Sequence, residues 1–141
     1  MKKIETICFD IPGKPVPKGR PRINMRSARI YTPKTTVDAE IKIRQYLLVV
    51  QSIILNKYRA FQGGVELCLG YYFPFPSTIK KSERINGLWH RRKPDLDNLV
   101  KLTVDAFNGY LYKDDNQIFC IKAGKVYDYC PHTEVKITYF E

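Results

Sequence analysis

Between Lys93 and Ile118 the chain reads KPDLDNLVKLTVDAFNGYLYKDDNQI, and five of its fourteen acidic residues fall there: Asp95, Asp97, Asp105, Asp114 and Asp115. The whole 141-residue chain carries a formal charge of +10, so this concentration of carboxylates runs against the prevailing charge. A basic protein with clustered acids can attract a phosphate polyanion and still hold a divalent cation against it. Mg²⁺ takes oxygen ligands, keeps several waters and is commonly held by a few carboxylates together with substrate phosphate. There it polarises a scissile phosphate and acidifies an attacking water. Lys101, four residues after Asp97, can neutralise charge that develops on phosphate oxygens. Each feature also has a plain structural use. Asp97, Lys101 and Asp105 have the spacing of surface ion pairs on a helix. Asp95 is a natural N-cap, and Asp114-Asp115 are natural turn residues.

The acids need elements to hold them. Leu96, Leu99, Val100, Val104 and Phe107 recur at helical spacing, so a helix is expected over 96–107, ended by Asn108-Gly109. Its charged face carries Asp97, Lys101 and Asp105. Upstream, 4–11 alternates as a strand, GKPVPKGRPR reads as a loop, and 29–32 suits a short strand. A long helix is expected from Thr35 or Thr36, either able to cap it, to Asn56, with more apolar residues than one face needs. Residues 65–75 read as a strand, and 76–94 as mostly loop with a short helix near 78–86. Two further strands fit 117–129 and 133–140. The order predicts a single α+β domain over 1–141: two layers, a mixed sheet of about four strands, and two or three helices.

Basic residues fall in two clusters. Lys14, Lys18, Arg20, Arg22, Arg26, Arg29 and Lys34 lie between residues 11 and 37 with no acid among them. The second holds Lys80, Lys81, Arg84, Arg91, Arg92 and Lys93, opposed by Glu83. Pro and Gly interrupt both, which excludes a basic membrane-surface helix and points to an anionic partner such as nucleic acid. Lys18, Arg20, Arg22, Arg91 and Arg92 are the candidate phosphate contacts. Cys8, Cys68, Cys120 and Cys130 form no CxxC pair and are expected as reduced thiols packed like small hydrophobes. His90 and His132 lack zinc-ligand spacing with them. No run is long and apolar enough for a transmembrane helix, and MKKIETICFD reads as a strand and not a signal peptide, so a cytoplasmic location is expected.

The segment PDLDNLVKLTVDAFNG followed by DDNQI resembles the signature of the RusA family of Holliday junction resolvases, and GKPVPKGRPR with YTPKTT resembles its phage and prophage members. The resemblance runs from the first strand to the last. It implies a homodimeric, Mg²⁺-dependent endonuclease, with Mn²⁺ as an alternative ion and no small-molecule cofactor, that resolves four-way DNA junctions. It assigns metal binding and catalysis to Asp95, Asp97 and Asp115, and a functional role to Lys101. Lys125 corresponds, more loosely, to a basic residue of the next strand and joins the residues expected to bind DNA. Phe107 departs from the expected Leu, a core exchange. Two other functions fit parts of the pattern. One is a branched-DNA-binding module in which the carboxylates are only structural; the other is a nucleotide-sugar transferase using a DxD. Short length and basic charge disfavour the transferase.

Overall fold

The computed structural model describes residues 1–141. In chain order the elements are β1 (Lys3–Pro12), β2 (Arg22–Asn24), β3 (Arg29–Tyr31), α1 (Lys34–Val50), α2 (Ser52–Tyr58), β4 (Gly64–Phe73), β5 (Leu88–Trp89), α3 (Leu96–Phe107), β6 (Ile118–Tyr127) and β7 (His132–Phe140). The main sheet has five strands in the order β1-β7-β4-β6-β5, and β2-β3 form a separate hairpin. β4 and β6 are parallel while the other neighbours are antiparallel, so the sheet is mixed. The parallel pair requires a crossover, which α3 supplies.

Period-two alternation fixes the faces. In β4, Val65, Leu67, Leu69, Tyr71 and Phe73 are buried, and the residues between them are less so. The buried side joins Leu47, Leu55, Leu99, Val104 and Phe107 from the helices in one core. Three tyrosines are fully buried there, and each hydroxyl has a partner. Tyr71 pairs with Thr103 at 2.8 Å, Tyr112 donates to the Val104 carbonyl at 2.9 Å, and Tyr139 donates to the Leu111 carbonyl at 2.9 Å. These bonds tie α3 and the segment after it to the sheet, and they satisfy groups that would be costly to bury alone.

The structure corrects several expectations. The sheet has five strands because the two-residue β5 adds an edge, which is too short to leave a periodic signal. The first long helix breaks at Gln51, within the β-branched run around Val49, Val50, Ile53 and Ile54, where side-chain crowding weakens a helix. Neither Thr35 nor Thr36 caps it; Pro33 holds that position without a side-chain cap. Thr36 is instead buried, and its hydroxyl accepts the Gly19 N–H at 2.7 Å. The four thiols are free but do not pack in the core. Cys8 and Cys68 alternate with core residues, so they fall on the helix-free face of the sheet.

Candidate active site

The site is built on the start of α3. Asp95 occupies the N-cap position, yet its carboxylate makes no capping hydrogen bond. Asp97 lies in the first turn, and both acids are exposed. The unpaired N–H groups at a helix start favour negative charge beside them. A carboxylate that neither caps nor pairs keeps its oxygens free for a cation.

The approach to α3 is fastened from two sides. The Lys125 ammonium donates to the carbonyl of Arg92 and, at 2.6 Å, to that of Pro94, just before Asp95. The Lys18 main-chain N–H donates to the Asn98 carbonyl at 2.9 Å, laying the proline-rich loop along the helix. Gly19 lets the same loop press against the start of α1, since a Cβ there would lie 2.9 Å from both Pro33 Cγ and Thr36 Oγ1. The Lys18 side chain then bridges Glu40 at 2.6 Å and Asp105 at 3.0 Å, which joins α1 to α3. Burial alone would lower the Lys18 pKa, but these two carboxylates outweigh it and hold the ammonium above its usual range.

Lys101 pairs with Asp105 at 3.3 Å, one turn along the helix. Together with Asp97 it also lines an open groove between α3 and β6, floored by Val100, Val104, Ile121 and Ala123. The second acidic pair divides its labour. Asp114 caps the 3₁₀ turn Asp115–Gln117, accepting the Asn116 N–H at 3.1 Å, while Gln117 accepts the Asp114 N–H at 2.8 Å. Gln117 donates onward to the carbonyls of Phe61 at 2.7 Å and Gly63 at 2.9 Å, so the turn is anchored to the sheet side. Asp115 remains beyond the cap. Burial and then Asp114, with a smaller push from Asp105, hold its carboxyl above the usual range, and Lys101 pulls the other way. The structure therefore brings Asp115 into the electrostatic reach of Lys101 and Asp105. Asp97 sits on the same helix about 6 Å along the axis from Lys101.

The candidate phosphate contacts separate into two kinds. Arg20, Arg22, Arg91 and Arg92 are exposed. The charges of Lys18 and Lys125 are engaged within the protein, one by carboxylates and one by carbonyls. Spacing gave no sign of either engagement, because both partners lie far away in sequence.

One further constellation was not anticipated. Asp10, His132 and Glu134 place one ligand atom each within 4.8 Å of one another, a three-residue grouping of potential metal ligands. They lie across β1 and β7 on the helix-free face, opposite the core residues Phe9, Thr133 and Val135. Burial lowers the His132 pKa, but the Cys130 carbonyl, Glu134 and Asp10 outweigh it and raise it. The ring stacks on Tyr72 at 4.2 Å, and Tyr72 donates to Glu134 at 2.9 Å. Asp95, Asp97 and Asp115 do not converge to the same degree within one chain.

Comparison with known proteins places the chain in a family. The family model described as Endodeoxyribonuclease RusA matches residues 12–138. The chain belongs to the RusA family. Its DLDN motif opens α3, and its DD pair forms the anchored 3₁₀ turn. Similar proteins include YqaN of Bacillus subtilis (strain 168), a protein described as uncharacterized. It is 33% identical over 143 residues, covering 95% of this chain and 96% of that protein. Another, named crossover junction endodeoxyribonuclease rusA, comes from Lactococcus phage r1t and is 34% identical over 94 residues, or 66% of this chain and 70% of the phage protein. As a member of this family the chain is a nuclease, a hydrolase of phosphodiester bonds.

Proposed function

We propose that the protein is a divalent-metal-dependent resolvase of four-way DNA junctions, with its reacting centre at the start of α3. The observation that carries this reading is the pair Asp95 and Asp97: two exposed carboxylates, free of capping and ion-pair duties, at a helix start in a RusA-family chain of charge +10. The donor set is all oxygen, which suits Mg²⁺ or Mn²⁺. Asp95, Asp97 and Asp115 would hold the ion, which would polarise the scissile phosphate and supply a more acidic water. Lys101 would neutralise charge developing on the phosphate oxygens. Asp105 keeps that ammonium directed along the helix. Arg20, Arg22, Arg91 and Arg92 hold backbone phosphates of the junction arms, which gives affinity without sequence readout.

The Asp10, His132 and Glu134 group favours a second reading of where a cation sits. The two are separable with the intact protein. Manganese binding followed by paramagnetic resonance should fall in Asp97→Asn and persist in Glu134→Gln; the reverse pattern would move the metal to the helix-free face. The function itself is tested by incubating a synthetic four-way junction and a linear duplex with and without Mg²⁺. Cleavage of the junction alone, and only with the metal, is the expected result. Binding without cleavage under all metals would leave only a branched-DNA-binding module.

A further inference from the structure

Trp89 is the only tryptophan in the chain, and it is 78% exposed. A side chain of this size ordinarily gives much of its stability by burial, so an exposed one on a fixed element calls for a partner. The element is fixed. β5 pairs with β6 through Leu88–Tyr127 and Trp89–Val126. The next residue, His90, is buried between Phe73 and Tyr127, with ring centroids 4.7 Å and 4.5 Å away. His90 Nδ1 accepts the Arg92 N–H at 3.3 Å, so the strand edge and the following arginines are held together.

Trp89 also lines a cleft of about 440 Å³ with Leu88, Tyr127, Pro76, Arg91 and Arg92. Its walls are aromatic and apolar, and two guanidinium groups stand at it with a single acid, Glu83. A flat ring with a phosphate attached matches that combination. Bases stack on aromatic side chains and on guanidinium planes, and tryptophan is a strong platform. In an intact duplex the bases are stacked on each other, so a duplex offers the cleft nothing. A branch point does.

We propose that this cleft receives an unstacked nucleobase of branched DNA on Trp89, with the flanking phosphates on Arg91 and Arg92. The inference rests on the junction-cleaving function proposed above and deepens it. From Trp89 to Asp95 the chain spans six residues, at most about 21 Å, and Lys125 pins its second half through the Arg92 and Pro94 carbonyls. The cleft therefore sets the branch point at a fixed distance from the acids.

The test uses Asp97→Asn protein, which holds the DNA uncut, and reads the emission of its single tryptophan. Titrations with a four-way junction, a duplex of the same sequence and a mononucleotide are compared. Emission should change saturably with the junction and far less with the duplex. A second variant, Trp89→Ala on the same background, should bind the junction about tenfold more weakly, with duplex binding unchanged, and Trp89→Phe should recover part of the loss. Junction binding with unaltered emission and undiminished affinity in Trp89→Ala would overturn the base-stacking inference and leave the resolvase reading standing. Absence of any preference for the junction over duplex would overturn both. Saturation by the mononucleotide as tightly as by the junction would make the cleft a free-nucleotide site and overturn the inference alone.

Discussion

At the level of single residues, the site sorts carboxylates by whether they already have a partner. Asp114 is used by its turn and Asp105 by two lysines, whereas Asp95 and Asp97 are uncommitted. Asp97→Asn should therefore abolish metal-dependent cleavage, because an amide is a poorer ligand than a carboxylate. Junction affinity should hold or rise with one negative charge removed; normal turnover by this variant would remove Asp97 from the site. Lys101 makes a different forecast. Lys101→Ala should cut the single-turnover rate much more than the affinity, since its charge matters most as the phosphate oxygens gain charge. Equal losses in both would make it a phosphate anchor. The engaged and free cations also part company. Arg20→Ala and Arg22→Ala should each flatten the plot of log K against log salt by about 0.9. Lys18→Ala should leave that slope alone and cost about 1 kcal/mol of stability, since it removes a partly buried bridge between α1 and α3. A salt slope that changes as much for Lys18 as for Arg20 would return Lys18 to the DNA-contacting set.

At the level of elements, α3 and the long strands were legible because each carries many residues of one period. The expected 96–107 helix matches α3, and the expected strands at 65–75, 117–129 and 133–140 overlap β4, β6 and β7. What could not be read were features that depend on one or two residues meeting distant ones. β5 is two residues long, Gln51 breaks a helix by local crowding, and the Thr36 hydroxyl accepts the Gly19 N–H instead of capping its own helix. The acids stood out as a cluster in a basic chain and took their proposed roles from the family resemblance, while the pinning of Pro94 by Lys125 and the convergence of Asp10 with His132 needed the sheet register. The residue after β5 carries a pH response. Burial, followed by the charge of Lys125, holds the His90 pKa below its usual value. Its unfolded form titrates near 6.5, so as pH falls through that region the unfolded chain binds the proton more readily than the folded one. Stability from His90 is then fully present above about pH 6.5 and is lost on acidification below it. Thermal melts should fall more steeply from pH 7 to 5 for the parent than for His90→Phe, which fills a similar aromatic slot without titrating. Parallel curves would show that His90 adds no acid sensitivity.

At the level of the whole molecule, the apolar surface is not used up by one chain. Leu48, Val49, Val50 and Ile53 are exposed together around the break between α1 and α2, with Ile53 at 84%. So many exposed apolar side chains at one bend exceed what a lone soluble chain ordinarily shows and make this bend a candidate interaction surface. A four-way junction is two-fold symmetric, and its resolution takes two opposed nicks. A C2 pair of chains matches that symmetry and supplies two identical centres. Four side chains are less than the roughly 800 Å² per partner of a stable interface, so the contact would extend along α1 past Ile41 and Val37, both also exposed. Pairing would set two +10 chains against one polyanion, and affinity would become steeply salt dependent. Sedimentation at micromolar concentration should give twice the 16.5 kDa chain mass. Val49→Glu combined with Ile53→Glu should give a folded monomer, because both positions are solvent-facing within one chain. On a cruciform plasmid the parent should yield linear product from paired cuts, and the double variant a nicked circle from single ones. Linear product from a chain that sediments as a monomer would refute the paired arrangement.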